Sequence, residues 1–141
     1  MSNDQARAPW QVKTLSVLLF LIGVFAFVGS LFLWGEGFLL DFPEGKDLAF
    51  PITDILVNAP ASITASVGLW KMRRYGYVAA QFVAGFYIYA SVEIFVHVAQ
   101  GGLSSGAEII VPQVFAVGVA LALVFYLWPI QERFTRSASA Q

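Results

Sequence analysis

Two pairs of polar residues stand four apart in an otherwise apolar chain: Asp54 with Asn58, and Glu93 with His97. Residues at that spacing share one face of a helix, a turn apart, so each pair sets a carboxylate beside a second polar group. Glu36, Glu108 and Gln113 add further oxygens and amides. Two carboxylates facing one cavity could serve as proton donor and proton acceptor, or could hold a cation with no chemistry at all. Histidine with carboxylates would suit zinc, manganese or iron. His97 is the sole histidine, however, with no His-x-x-x-His or Glu-x-x-His pair, so no metal or other cofactor is expected. A bis-histidine haem would need a second chain. With no cysteine in the chain, disulfides, thiolate centres and cysteine nucleophiles are excluded.

Each group also has an ordinary role. Glu36 and Glu108 suit helix ends in headgroup water. Asp54, after Thr53, suits a helix N-cap, and His97 suits interfacial packing or partnership with Glu93. Glu93 is harder to place this way. It lies six residues short of the end of its apolar segment at Ala99, and an acid inside such a segment needs a partner or a proton.

The elements that position these residues follow from composition. Of 141 residues 58% are hydrophobic and 12% charged, against about a quarter charged in a globular chain. A helix needs about 20 apolar residues to cross a bilayer, and four stretches qualify, at about 14–35, 52–70, 75–99 and 107–129. The first carries no charge and is too long for a signal-peptide core, so it is expected to be retained. The expected fold is an all-α, integral membrane four-helix bundle in a single domain. A net charge of -1 leaves no basic surface to follow a phosphate backbone, so nucleic acid is not an expected partner.

Cations in short loops stay cytoplasmic. Arg7, Lys13, Lys71, Arg73, Arg74, Arg133 and Arg136 all fall on one side of such a bundle, and only Lys46 falls on the other, among Glu36, Asp41, Glu44 and Asp47. Both termini are thus expected in the cytoplasm, in a bacterial inner membrane or a eukaryotic endomembrane. The polar tails, 1–9 and 131–141, read as unstructured. Small residues four apart, such as Ala61/Ala65, Ser62/Ser66, Ala80/Ala84 and Ala116/Ala120, are expected to pack helices closely within the chain, with a homodimer as the other use. At 1.5 Å per residue the polar groups of all four helices fall in roughly the outer third of the bilayer. They would line a chamber open to the outside and floored by aromatics.

The second segment, D-I-L-V-N-A-P-A-S-I-T-A-S-V-G-L-W-K from Asp54 to Lys71, resembles the second helix of the EXPERA superfamily, which includes the emopamil-binding sterol isomerase and the sigma-2 receptor. The shared pattern is an acid at the outer helix end (Asp54), an amide four on (Asn58), a proline six on (Pro60) and a basic turn after the helix (Lys71, Arg73, Arg74). Ile88-Tyr89, Pro112 with Pro129, and Glu36-Gly37-Phe38 extend the likeness over about residues 30–130. The chain departs from the isomerase at Phe32, where that enzyme carries a histidine, and at Ala122 and Phe125, where it carries asparagine and tryptophan. The resemblance implies a cavity for a sterol- or terpenoid-like lipid, with double-bond isomerisation as the activity. Glu36 and Asp54 would be its catalytic or cation-binding acids, and Asn58, Phe86, Tyr89, Glu93 and His97 its ligand-binding lining. Two alternatives stand beside it: a non-enzymatic accessory subunit of a larger membrane complex, and a small ion-coupled transporter built on Glu93.

Overall fold

An uncharged run long enough to cross a bilayer must satisfy its backbone within itself, and the helix is the form in which one segment does so. The computed structural model of the chain describes residues 8–35, 41–42, 45–46, 49–102 and 105–136, without the side chains of 33–35, 41–42, 45–46, 49–50, 108 and 136. Helix α1 runs over Trp10–Gly35. A two-residue antiparallel ladder follows, β1 (Asp41–Phe42) with β2 (Gly45–Lys46). Next come α2 (Ala49–Thr53), a π-helical turn (Asp54–Asn58) and α3 (Ala59–Trp70), continuous with one another. After them stand α4 (Arg74–Ala99), α5 (Ala107–Leu127), a 3₁₀ turn (Trp128–Ile130) and α6 (Gln131–Arg136). Among the described residues four spans are long and apolar enough to cross a membrane: Trp10–Phe32, Pro51–Trp70, Arg74–Ala99 and Ile109–Thr135.

Three boundaries differ from the sequence expectation, and at the two chain ends a side chain finds a partner. Helix α1 begins at Trp10 rather than near residue 14, with Lys13 inside its first turn. The Lys13 ammonium lies 5.8 Å from the Trp70 ring centroid, so the cation sits on an aromatic face of the neighbouring helix. The second helical rod begins at Ala49 rather than 52. The segment after residue 130, expected as an unstructured tail, is helical to Arg136. Phe134 is fully buried there and packs on Tyr77 with ring centroids 5.7 Å apart. One large aromatic is enough to dock an otherwise polar turn, since burying it removes on the order of 150–250 Å² from water.

The packing order follows the chain. Helix α1 packs on α3, α3 on α4 and α4 on α5, while among the described residues no comparable packing joins α5 back to α1. The bundle is therefore an arc. Small residues make its seams: Ser62, Ala65, Ser66, Ala80, Ala84 and Ala120 are all buried between helices. A Cβ at Gly23 would meet Ile63 and Ser62 at 3.1 Å. The tightest seam is at the α3–α4 turn, where a Cβ on either Gly68 or Gly76 would collide with the other's backbone. That turn ends α3 by a Schellman arrangement: the Arg73 amide donates to the Gly68 carbonyl at 2.8 Å and the Met72 amide to that of Leu69 at 2.9 Å. Met72 takes the left-handed position usually given to glycine, φ 52°, with its side chain buried.

The dense part of the core lies toward the end where α3 meets α4. Val12, Leu19, Leu69, Val83, Leu123, Leu127 and Phe134 fill it. Toward the other end, between α1 and α5, the arc leaves space.

Candidate functional site

That space is a cavity of about 590 Å³, within the range of small-molecule sites. Helix α1 contributes Leu18, Leu21, Ile22, Phe25 and Ser30; α2 and the π turn contribute Pro51, Asp54 and Asn58. Helix α4 supplies Phe86, Tyr87, Ala90, Ser91 and Ile94, and α5 supplies Pro112, Gln113, Phe115 and Ala116. Most of this lining is apolar. On the two lips of the arc Phe25 is 78% exposed, Leu21 58% and Phe115 53%, so the cavity opens sideways between α1 and α5.

The polar end is built by a break in helical regularity. Pro60 has no amide hydrogen for the carbonyl of Leu56, and its ring crowds that carbonyl. Just before it the chain takes a π turn, in which the Ala59 amide donates to the Asp54 carbonyl five residues back. Such a turn inserts one extra residue and sets Asp54 and Asn58 on the cavity side of the rod.

A directed chain of hydrogen bonds ends on Asp54. Asn58 Nδ2 donates to Asp54 Oδ1 at 2.9 Å, and Ser30 Oγ donates to Asp54 Oδ2 at 3.4 Å. Ser62 Oγ donates to Asn58 Oδ1 at 3.0 Å. Ser62 has a single proton, so its 3.0 Å contact with the Tyr87 hydroxyl is a bond in which Tyr87 donates. Each donor from Tyr87 onward therefore points toward the carboxyl group, which accepts twice and keeps further lone pairs for a third donor. Among the described residues no buried side-chain nitrogen or oxygen lacks a partner. A second polar pole stands across the cavity, where Ser91 Oγ donates to Gln113 Oε1 at 3.2 Å. Among the described residues no three His, Asp or Glu side chains gather closely enough to hold a metal ion.

Of the residues expected to form the site, Asp54, Asn58 and Phe86 line the cavity. Tyr89, Glu93 and His97 are not among its lining residues. Tyr89 is 66% exposed; Glu93, between the lining residues Ser91 and Ile94, and His97, beyond them along α4, are half-buried. Glu36 lies outside the described residues, as does the side chain of Glu108. Asp54 is not an N-cap, since it lies within continuous helical backbone. The residues that sequence reasoning passed over are Ser30, Ser62, Tyr87 and Ser91. A signal for the last two was present: extending the small-residue spacing of Ala80 and Ala84 by three and then four gives Tyr87 and Ser91, all four buried. Compared with family models, with curated proteins and with solved structures, the chain matches none.

Proposed function

We propose that the chain is a multi-pass membrane protein, both termini cytoplasmic, that binds a sterol- or terpenoid-like lipid in the cavity between α1 and α5. The observation that carries this reading is the pairing of about 590 Å³ of mostly apolar space with one carboxyl group at its edge, supported by Asn58 and Ser30. A ligand of matching chemistry has an apolar polycyclic or isoprenoid body and, at one end, a hydroxyl or ammonium that donates to Asp54. Phe86 offers an aromatic lining beside it. Isomerisation of a double bond in such a ligand would need a proton donor and a proton acceptor at the same cavity. Asp54 would be one, and Glu36 is the second carboxyl group that the EXPERA resemblance implies.

The test is thermal unfolding of the detergent-purified protein with sterols, terpenoids and cationic amphiphiles, wild type beside Asp54→Asn. A ligand at a hundredfold its Kd stabilises the folded state by about 2.7 kcal/mol. A saturable rise in Tm that is lost or much weakened in Asp54→Asn is the expected result, and no rise with any ligand class would overturn the reading.

One observation favours a second reading, the accessory subunit. Glu93 is a carboxylate half-buried within a span and outside the cavity lining. A partner helix carrying a donor would satisfy it. Under that reading the chain migrates in mild detergent as part of a larger complex, and Glu93→Gln weakens the association.

A further inference from the structure

On the opposite side of α3 from the cavity lies a second depression, a groove of about 300 Å³ between α1 and α3 lined by Ser16, Val17, Phe20, Ser66, Val67, Trp70 and Lys71. Its floor offers almost no polarity. Ser16 Oγ donates to the Ser66 carbonyl at 2.6 Å and shares a 3.3 Å contact with Ser66 Oγ, so both hydroxyls are already engaged. Val17, Phe20 and Val67 are exposed along it. Cations stand at one end only. Lys71 lines the groove from the end of α3, and Lys13, from the first turn of α1, reaches over the Trp70 ring at 5.8 Å. From Lys13 to Phe20 the groove runs about 10 Å along the helix axis.

We infer that this groove is a site for an anionic phospholipid, its phosphate between Lys13 and Lys71 and an acyl chain along Val17, Phe20 and Val67. The inference rests on the reading of the chain as membrane-spanning, and it is independent of the cavity ligand. Charge complementarity selects the occupant. Two cations stand at that end, Lys71 in the lining and Lys13 over the lining residue Trp70, and a basic pocket between transmembrane helices at the membrane surface is where lipid phosphates bind. An exposed Trp70 at the same level suits the headgroup boundary. A free phosphate would engage the lysines and leave the apolar trough uncovered. A zwitterionic lipid would fill the trough but bring no net charge to the lysines.

Native mass spectrometry of the detergent-purified full chain, titrated with dioleoyl phosphatidylglycerol or dioleoyl phosphatidylcholine, tests this. Two surface cations predict a preference for the phosphatidylglycerol of about thirtyfold. The double variant Lys13→Gln/Lys71→Gln should bring the two lipids to within about threefold of each other. Arg74→Gln, whose cation neither lines the groove nor stands over its Trp70 wall as Lys13 does, should keep the preference. sn-Glycerol 3-phosphate should not compete. Equal binding of both lipids by the wild type, an undiminished preference in the double variant, an equal loss in Arg74→Gln, or full competition by glycerol phosphate would each overturn the site. Alkaline carbonate extraction of membranes carrying the wild type separates the two claims. Release of the chain removes the membrane reading and the groove with it, whereas a retained chain without lipid preference removes the groove alone.

Discussion

Tyr87 on α4 gives its hydroxyl proton to Ser62 on α3 across 3.0 Å, because the one proton of Ser62 is already given to Asn58. The direction of that bond ranks two substitutions. Ser62→Ala leaves a buried tyrosine O–H without an acceptor and removes the donor to Asn58, a loss of about 2–3 kcal/mol. Tyr87→Phe removes only a donor and costs about 1 kcal/mol. Midpoints of thermal unfolding in one detergent should fall in the order wild type, Tyr87→Phe, Ser62→Ala. The double variant should be less destabilised than the sum of the two, as for any pair in direct contact.

Asp54→Asn keeps an acceptor for Asn58 and so should leave the unfolding midpoint within a few degrees of wild type. For the proposed ligand the change matters more. A hydrogen bond to a charged group contributes about 1.5–3 kcal/mol, so an amine-bearing ligand should lose roughly tenfold to a hundredfold in affinity. A ligand with a hydroxyl in the same place should lose less. Isothermal titration in detergent with matched amine and alcohol ligands checks the difference.

Ala116→Trp would fill the cavity from α5, where Ala116 is half-buried in its lining. Ligand-induced stabilisation should disappear while the unliganded midpoint stays within about 1.5 kcal/mol of wild type, because the added ring occupies existing space. Glu93→Gln, away from the lining, should leave ligand binding unchanged in the same assay.

Gly68→Ala and Gly76→Ala each force a Cβ into backbone, which no rotamer change can relieve. Each should destabilise by about 1–3 kcal/mol or more and open the α3–α4 turn. Gly118→Ala is the control. A Cβ there meets nothing within 4 Å, and helix propensity alone favours alanine over glycine by up to about 1 kcal/mol.

Phe134→Ala should release the last turn of the chain, at a cost of about 3–5 kcal/mol if α6 stays docked and less if it detaches. Limited proteolysis distinguishes the two, since detachment exposes the 131–136 segment to cleavage in the folded protein.

Much of this architecture was legible in the residues. Four long apolar runs correspond to four helical spans, and the Asp54–Asn58 spacing marked a pair that does line the cavity. Which side of α4 faces inward was not legible, and the reason is physical. Phe86, Tyr87, Ile88 and Tyr89 are consecutive and all large. In a helix apolar on every side, the 3.6-residue period that distinguishes the buried face is missing. Tyr87 is 4% exposed and Tyr89 66%, two positions and roughly half a turn apart. The Glu93–His97 spacing sets both on the side of α4 that also carries Phe86 and Ala90, but a shared face does not show how far along the helix a cavity reaches. Phe134 was missed because a single aromatic among polar residues carries no periodicity, although it is enough to seat the turn that bears it.

The arc left open between α1 and α5 also determines how affinity for the proposed ligand must be expressed. A lipid that diffuses in the plane of the bilayer and passes between Phe25 and Phe115 meets the protein at its concentration in the membrane, measured as a mole fraction of lipid. Occupancy would then follow the ratio of ligand to bilayer lipid, and doubling the vesicles at fixed total ligand would lower it. The same protein titrated against total ligand in water would show as many apparent dissociation constants as there are lipid concentrations, all converging on one value when plotted against mole fraction.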